Sequence, residues 1–451
     1  MSIALVILAA GKGTRMNSDL PKVLHPIAQA PMLAHAMRAG AALEPERTLI
    51  VAGHGAEAVT QTVADIDETA EVVLQEEQLG TAHAVDQARA ALEGFDGDIV
   101  VMFGDTPFLS ADTLERMAEA RKGADLVILG FEAADPGRYG RLVMQGDSLE
   151  KIVEFKDATE AERAITFCNS GLMAAKASTL FDLIAKIGNA NASEEYYLTD
   201  AVALAREEAL KVTAVACDEA ETLGINSRAD LAAADAVFQQ RARAELLDLG
   251  VTLMAPETVY LAFDTYIGRD TVIEPNVVFG PGVTVESGAQ IRAFSHLEGC
   301  HISRGALVGP YARLRPGAEL AEGVKIGNFV EVKNAELAEG VKVNHLSYIG
   351  DASVGAGANI GAGTITCNYD GVMKHKTEIG AGAFIGSDTM LVAPVKVGNE
   401  AMTATGAVIT KNIEDGALAI ARTPQENKPG RARKLFDMLR AKKAKRDKGE
   451  G

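Results

Sequence analysis

The sequence predicts an α/β domain, one long connecting helix and an all-β parallel β-helix, in that order. Three observations carry this reading. Apolar runs alternate with helix-like stretches in the first half of the chain. Residues 228–249 read as a single helix stopped by Gly250. From 267 to 409 an aliphatic residue returns at every sixth position.

Residues 3–8 are continuously apolar, as expected of a buried parallel strand. They enter the turn Leu8-Ala9-Ala10-Gly11-Lys12-Gly13-Thr14-Arg15-Met16, followed by Pro21-Lys22. A helix is expected over 31–43, strands near 48–52 and 71–75, and a helix over 81–92. Residues 99–103 read as another buried strand ending at Gly104-Asp105. A helix at 111–121 and a strand at 126–131 complete the alternation expected of a parallel sheet. Segments 142–144 and 149–155 flank Gly146-Asp147 as a hairpin. A strand (166–174), a helix (177–187), a helix opening at 194–200 and ending near Leu210, and a strand (212–216) follow. Gly224-Ile225-Asn226-Ser227 is a turn before the connecting helix, whose apolar positions include Val237, Phe238 and Leu246.

The six-residue ladder begins Ile267, Ile273, Phe279, Val285, Ile291, Leu297. Five-residue steps interrupt it at Leu297 to Ile302, Val332 to Leu337 and Ile349 to Val354. A period of six fits neither a helix nor a single strand. It fits a triangular β-helix in which three hexads make one coil and the aliphatic residue points inward. Gly beside that residue, as in Ile326-Gly327 and Ile360-Gly361, is expected to take the corner conformation. Coils stack at about 4.8 Å, and stacking is what buries the core. After Thr366 the next aliphatic rung is Ile379, so one hexad and seven extra residues form a loop that includes 367–376. Loops on rigid scaffolds commonly carry function.

The formal net charge of −18 argues against a nucleic-acid binder. No apolar run is long enough to span a membrane. Cys168, Cys217, Cys300 and Cys367 are far apart and form no zinc motif, which suits a reducing compartment. With no basic leader at its start, the chain is expected to be cytoplasmic.

Gly11 and Gly13 after a buried strand can aim backbone N–H groups at phosphates, with Lys12, Arg15 and Lys22 adding charge. The turn is neither a Walker loop nor a dinucleotide fingerprint. In combination, Leu8-Ala9-Ala10-Gly11-Lys12-Gly13-Thr14-Arg15-Met16 with Pro21-Lys22, then Gln75 with Gln78-Leu79-Gly80-Thr81-Ala82-His83, then Phe103-Gly104-Asp105, resembles the sugar-nucleotidyltransferase family. The resemblance implies a Rossmann-like domain. It implies triphosphate neutralisation by Arg15 and Lys22, uracil binding by Gln75, Gly80 and Thr81, and Mg²⁺ held by Asp105 and Asn226. Leu8, Ala9, Ala10, Gly11, Phe103 and Gly104 would line the nucleotide site, and Gly140, Glu154 and Asn169 the sugar.

The hexad part carries Asn344-His345-Leu346-Ser347-Tyr348-Ile349-Gly350-Asp351, Asn359 to Thr364 and the loop Cys367-Asn368-Tyr369-Asp370-Gly371, while Arg313-Leu314-Arg315-Pro316 and Glu331-Val332-Lys333 place two cations on nearby coils. With the first site, these motifs resemble the family of bacterial bifunctional enzymes that acetylate glucosamine-1-phosphate and then uridylylate the product. That likeness spans residues 8–422 and implies a left-handed β-helix of hexapeptide repeats. It implies His345 as general base. Arg315 and Lys333 would take the sugar phosphate, and Tyr348, Asn359 and Lys374 the amino sugar. Ala362, Asn368, Tyr369, Ser387, Thr405 and Arg422 would bind acetyl-CoA. UTP and acetyl-CoA are then cosubstrates, all partners are small molecules, with neither nucleic acid nor membrane, and the assembly is a homotrimer. Thr405 stands where the family has Ala, and Phe103 where it has Tyr. The expected boundaries are 1–227, 228–249, 250–423 and a basic tail, 424–451. Two other readings are a single-activity pyrophosphorylase with a regulatory β-helix and a non-enzymatic scaffold. His345 with the Asn368-Tyr369 loop opposes the first, and Arg15, Lys22 and Asp105 together oppose the second.

Overall fold

A computed structural model describes residues 2–191 and 194–447. The opening apolar run is β1 (Ile3–Ala9), centre of a mixed sheet. The chain continues through β2 (Pro26–Ile27), β3 (Ala30–Pro31), α1 (Met32–Ala41), β4 (Arg47–Ala52), α2 (Ala56–Ile66), β5 (Glu71–Leu74) and α3 (Thr81–Asp86). Then come β6 (Asp98–Phe103), α4 (Ala111–Arg121), β7 (Leu126–Glu132), the hairpin β8 (Arg141–Gln145) and β9 (Ser148–Val153), and α5 (Glu160–Arg163). The unit closes with β10 (Phe167–Lys176), α6 (Ala177–Ile184), α7 (Asp200–Glu207), β11 (Val212–Cys217) and α8 (Arg228–Asp248).

The sheet order is β11-β7-β10-β6-β1-β4-β5. Alternate residues of β1 face opposite sides, so each side needs its own helical cover. Ala4, Val6 and Leu8 pack with α3, α6 and α7. Leu5, Ile7 and Ala9 pack with α1, α2 and α4. From β1 the chain builds one side of the sheet (β4, β5), then crosses to the other (β6). The carboxyl ends of β1 and β6 therefore flank a topological switch point, where open α/β sheets bind ligands.

Several expectations need correction. The sheet is not wholly parallel: β10 is antiparallel to both β6 and β7. The chain turns back there through the β8–β9 hairpin instead of crossing over through a helix. Helix α2 was not anticipated, although Val59 and Val63 have helical spacing and are buried. Helix α3 stops at Asp86, short of the expected 92, and α7 starts only at Asp200. The short α5 follows a Thr159/Glu162 capping box that the reading passed over.

Contacts divide the chain within α8 into one unit of residues 1–245 plus 261–265 and another of 246–260 plus 266 onward. In the first, Phe263 lies on His35 at 4.2 Å between ring centroids, and Gln239 exchanges hydrogen bonds with the Leu261 backbone at 2.8 and 2.9 Å. Helix α8 ends at Asp248, one residue before the expected 249, and Gly250 follows with φ of 85°.

In the second unit every rung from Ile267 to Ile409 is buried. Strands pair only in parallel from coil to coil: Val308 with Ile326, Val343 with Ile360, Ile360 with Ile385. From Ile273 onward the residue two places before each rung is also buried and mostly small, such as Ala289, Ala306, Ala358 and Ala407. Beside large aliphatics these small positions carry little periodic signal. Apart from Gly309, with φ of 97°, the glycines next to the rungs do not take the left-handed backbone. They permit close stacking: a Cβ on Gly327 would stand 1.9 Å from the Asn344 carbonyl oxygen. Most left-handed residues fall three places after a rung, including Asn276, Phe294, Tyr311, Phe329 and Leu346.

The five-residue steps are genuine shortenings, since register is kept across them: Val285 with Ile302, Leu320 with Leu337, Leu337 with Val354. All three fall at one corner, turned by Gly299, Asn334 and Asp351, each with positive φ. The inserted loop leaves at that same corner, between strands Ile365–Cys367 and Thr377–Ile379. Beyond the coils, α9 (Arg431–Asp447) has no buried residue, and its apolar Leu435, Phe436 and Leu439 are exposed.

Candidate active sites

At the switch point the turn after β1, the end of β6 and the segment before α3 enclose a cavity of about 250 Å³. Leu8, Ala9, Ala10 and Gly11 line one wall. Gln75, Gly80 and Thr81 line another, and Phe103, Asp105 and Lys22 close the base. The buried Gln75 amide donates to the Gly80 carbonyl at 3.1 Å and lies 3.1 Å from His83 Nδ1. Gly80 adopts φ of 117° against the Tyr196 backbone, where a Cβ would come within 2.5 Å of the carbonyl oxygen. The Gly104 N–H donates to the Leu8 carbonyl at 3.0 Å, which fixes the height of Asp105.

Lys22 Nζ pairs with Asp105 Oδ2 and donates to Asn226 Oδ1 at 2.7 Å. The two oxygens expected to hold a metal thus converge on one point beside a cation. Among the described residues no cluster of three or more His, Cys, Asp or Glu side chains forms a cage. Two oxygen donors suit Mg²⁺, which takes its other ligands from water and phosphates. Arg15 is not brought in: it stands exposed on the turn Thr14–Met16, outside the cavity lining. Gly140, Glu154 and Asn169 do meet. The Asn169 N–H donates to the Gly140 carbonyl at 2.8 Å, and a Cβ on Gly140 would lie 3.4 Å from Glu154 Oε1. Burial, then Asp157 and Asp200, pushes the Glu154 carboxyl above its usual range.

In the second unit, stacked register gathers residues far apart in sequence. His345, Ala362, Ser387 and Thr405 each lie two places after an inward residue of one face (Val343, Ile360, Ile385, Thr403). They form one column up successive coils, and Arg422 Nη1 reaches the Thr405 carbonyl at 2.8 Å. His345 is exposed at its foot.

Arg315 and Lys333 lie one place after adjacent rungs, Leu314 and Val332, on another face. Lys374 from the inserted loop, then Arg315, hold the Lys333 ammonium below its usual pKa, as crowded cations do. Arg315 also pairs with Glu331 at 2.8 Å. Asn368 donates to the Tyr348 hydroxyl at 3.3 Å and to Asp351. Asp370 organises the loop: it accepts from Val372 and Met373 N–H at 2.8 and 2.7 Å and pairs with His375. Burial raises the Cys367 thiol pKa, so it is no ready nucleophile. Asn359 starts the strand after the His345 coil, and Tyr369 is exposed on the loop.

The MobA-like NTP transferase domain profile matches residues 5–170, and the bacterial transferase hexapeptide profile matches 264–299. The chain is 80% identical over 448 residues to the bifunctional protein GlmU of Ruegeria pomeroyi, covering 99% of this chain and all of that one. It is 79% identical to the GlmU of Ruegeria sp. strain TM1040, over the full length of both, and 65% identical to that of Cereibacter sphaeroides, over 99% of both. The chain belongs to the bifunctional GlmU family.

Membership covers both halves, so the single-activity and scaffold readings fall away: GlmU proteins are bifunctional enzymes, with a nucleotidyltransferase and a hexapeptide acetyltransferase domain. Among the described residues no helix is long and apolar enough to cross a membrane. Sequence reasoning did not single out three polar groups at this GlmU chain's sites. Gln78 donates to the Ala10 carbonyl at 2.7 Å and lines the first cavity, as does Glu195. Asp351 receives Asn368 and Asn334. Gln78 sat within a quoted motif. Asp351 closed the His345 motif but was given no role, because that role depends on which coil lies beneath it.

Proposed function

We propose that the chain acetylates glucosamine-1-phosphate with acetyl-CoA on its β-helix. It then joins the product to UMP from UTP in the α/β domain, giving UDP-N-acetylglucosamine and pyrophosphate. The observation that carries this is the His345–Ala362–Ser387–Thr405 column ending at a cation. Its length suits an extended cosubstrate with a reactive thioester at His345 and phosphates near Arg422.

In the first half-reaction, His345 takes a proton from the substrate amine. The amine nitrogen attacks the thioester carbonyl, and CoA leaves as the thiol. Arg315 and Lys333 hold the sugar phosphate by charge. Tyr348, Asn359 and Lys374 orient the amino sugar, and Asn368 and Tyr369 flank the cosubstrate. In the second, a phosphate oxygen of N-acetylglucosamine-1-phosphate attacks the α-phosphorus of UTP, and pyrophosphate departs. No side-chain base is required, because the nucleophile is already ionised. Mg²⁺ on Asp105 and Asn226 would supply charge neutralisation. Lys22 and Arg15 turn toward the phosphates, Lys22 giving up its contact with Asp105. Gln75, Gly80 and Thr81 read uracil, and Gly140, Glu154 and Asn169 the N-acetyl sugar. Lys22→Met is expected to slow pyrophosphate release by about 10²-fold or more in an initial-rate assay, with thiol release unchanged.

The protein is proposed to work in the cytoplasm as a homotrimer with acetyl-CoA clefts between neighbouring prisms. Functional divisions are proposed at 1–227, 228–249, 250–423 and 424–451. An exposed apolar strip supports self-association: Phe294 stacks on Tyr311 at 4.9 Å and Tyr311 on Phe329 at 5.3 Å, with Leu346 beyond. All four have left-handed backbone, costly for bulky residues and tolerable where something repays it. Phe329→Asp should therefore shift sedimentation from trimer toward monomer and lower thiol release in step. An unchanged trimer would remove the strip from the interface.

The experiment that tests the function is thiol release from acetyl-CoA with glucosamine-1-phosphate as acceptor. Release is expected, and none at all would refute the acetyl transfer.

A further inference from the structure

One polar side chain beside His345 has no task in the reaction above. His345 Nδ1 lies 2.7 Å from Asn328 Oδ1. The two residues are register partners on adjacent coils, Asn328 one coil before His345. Each lies two places after an inward aliphatic, Ile326 and Val343, so Asn328 extends the His345–Thr405 column by one rung. Among the described residues, this is the one hydrogen bond to the imidazole. An amide oxygen can only accept. Nδ1 therefore carries the proton, and Nε2 keeps its lone pair.

We infer that Asn328 is a positioning residue for the acetyl transfer. It holds His345 in the tautomer whose Nε2 can take the proton of the substrate amine. The inference rests on the reading of His345 as the base. The local backbone makes the contact stiff. Phe329 and Leu346, next after each partner, share the left-handed conformation, and the Leu346 N–H donates to the Asn328 carbonyl at 3.0 Å. The Ser347 hydroxyl donates to the His345 carbonyl at 2.9 Å, fixing the other side of the corner. Asn328 is half-buried.

The choice of an amide has a chemical reason. A carboxylate there would also accept from Nδ1, but its charge would favour the imidazolium, which cannot accept a proton. A neutral amide orients the ring without that cost. The charged residues on the strands packed here are Lys325, on the strand that ends in Asn328, and Lys342, on the one that ends in His345. The next strand, Asn359–Ile360, adds none.

The test uses the full-length enzyme. Asn328→Ala is expected to lower kcat for thiol release by roughly ten- to a hundredfold, less than the ~10²–10⁴-fold that a general base itself contributes, while KM for acetyl-CoA changes little. Asn328→Asp keeps an acceptor. It should recover much of the rate at high pH, with the acidic limb of kcat/KM moved to higher pH by about one unit. Nitrogen-15 NMR of histidine-labelled protein should find the neutral His345 ring protonated on Nδ1 in the parent and mixed in Asn328→Ala. A parent ring protonated on Nε2, or an Asn328→Ala enzyme with unchanged kcat, overturns the proposal. If His345→Ala abolishes release while Asn328→Ala does nothing, only the Asn328 role falls. If His345→Ala keeps full release, the base assignment falls, and this proposal with it.

Discussion

Asp105→Ala is expected to lower pyrophosphate release by at least about 10²–10³-fold, the scale of losing one charge-stabilising group at a reacting centre. Thiol release should stay at the parent rate. The reason is local. Asp105 sits at the carboxyl end of β6, and its carboxylate and the Asn226 amide oxygen converge on the Lys22 ammonium. Without the carboxylate, Asn226 alone remains as a proposed metal ligand, and a lone amide binds a hard cation weakly. The β-helix site shares no residue with this constellation. Side-by-side assays of pyrophosphate and CoA thiol decide the matter. Loss of both would mean that the two chemistries are not separately housed.

The reverse is expected of His345→Ala. Thiol release should fall by about 10²–10⁴-fold, the range that a positioned general base contributes. KM for acetyl-CoA should move little, because Ala362, Ser387, Thr405 and Arg422 stand on later coils and do not depend on the imidazole. Pyrophosphate formation from ready-made N-acetylglucosamine-1-phosphate should be untouched. A large rise in KM with kcat preserved would recast His345 as a binding residue.

Much of this was legible in the sequence, for reasons that differ by region. The β-helix could be read because one-dimensional stacking turns a three-dimensional core into a fixed period, and each rung from Ile267 to Ile409 is indeed buried. The α/β domain was readable wherever burial on both faces made continuous apolar runs, as in β1 and β6. It was less so where register depends on topology. The antiparallel β10 and the segment 261–265, which packs with residues 1–245, follow from long-range pairing that local pattern does not encode. The site residues divide the same way. Those in contiguous motifs, such as Ala10-Gly11 and Phe103-Gly104-Asp105, meet around one cavity. Arg15 belongs to the same stretch yet stands exposed outside it. Asn328 escaped notice because its meaning arises only when one coil is laid on the next.

The most direct measurement follows one reaction with two probes. Full-length protein receives glucosamine-1-phosphate, acetyl-CoA, UTP and Mg²⁺, and free thiol and pyrophosphate are recorded together. Thiol should appear first, pyrophosphate after a lag, and the two should end in equal amounts. Omitting acetyl-CoA should suppress both. Pyrophosphate formed at full rate without acetyl-CoA, or thiol that never appears, would contradict the claim that this chain carries out the two steps in sequence.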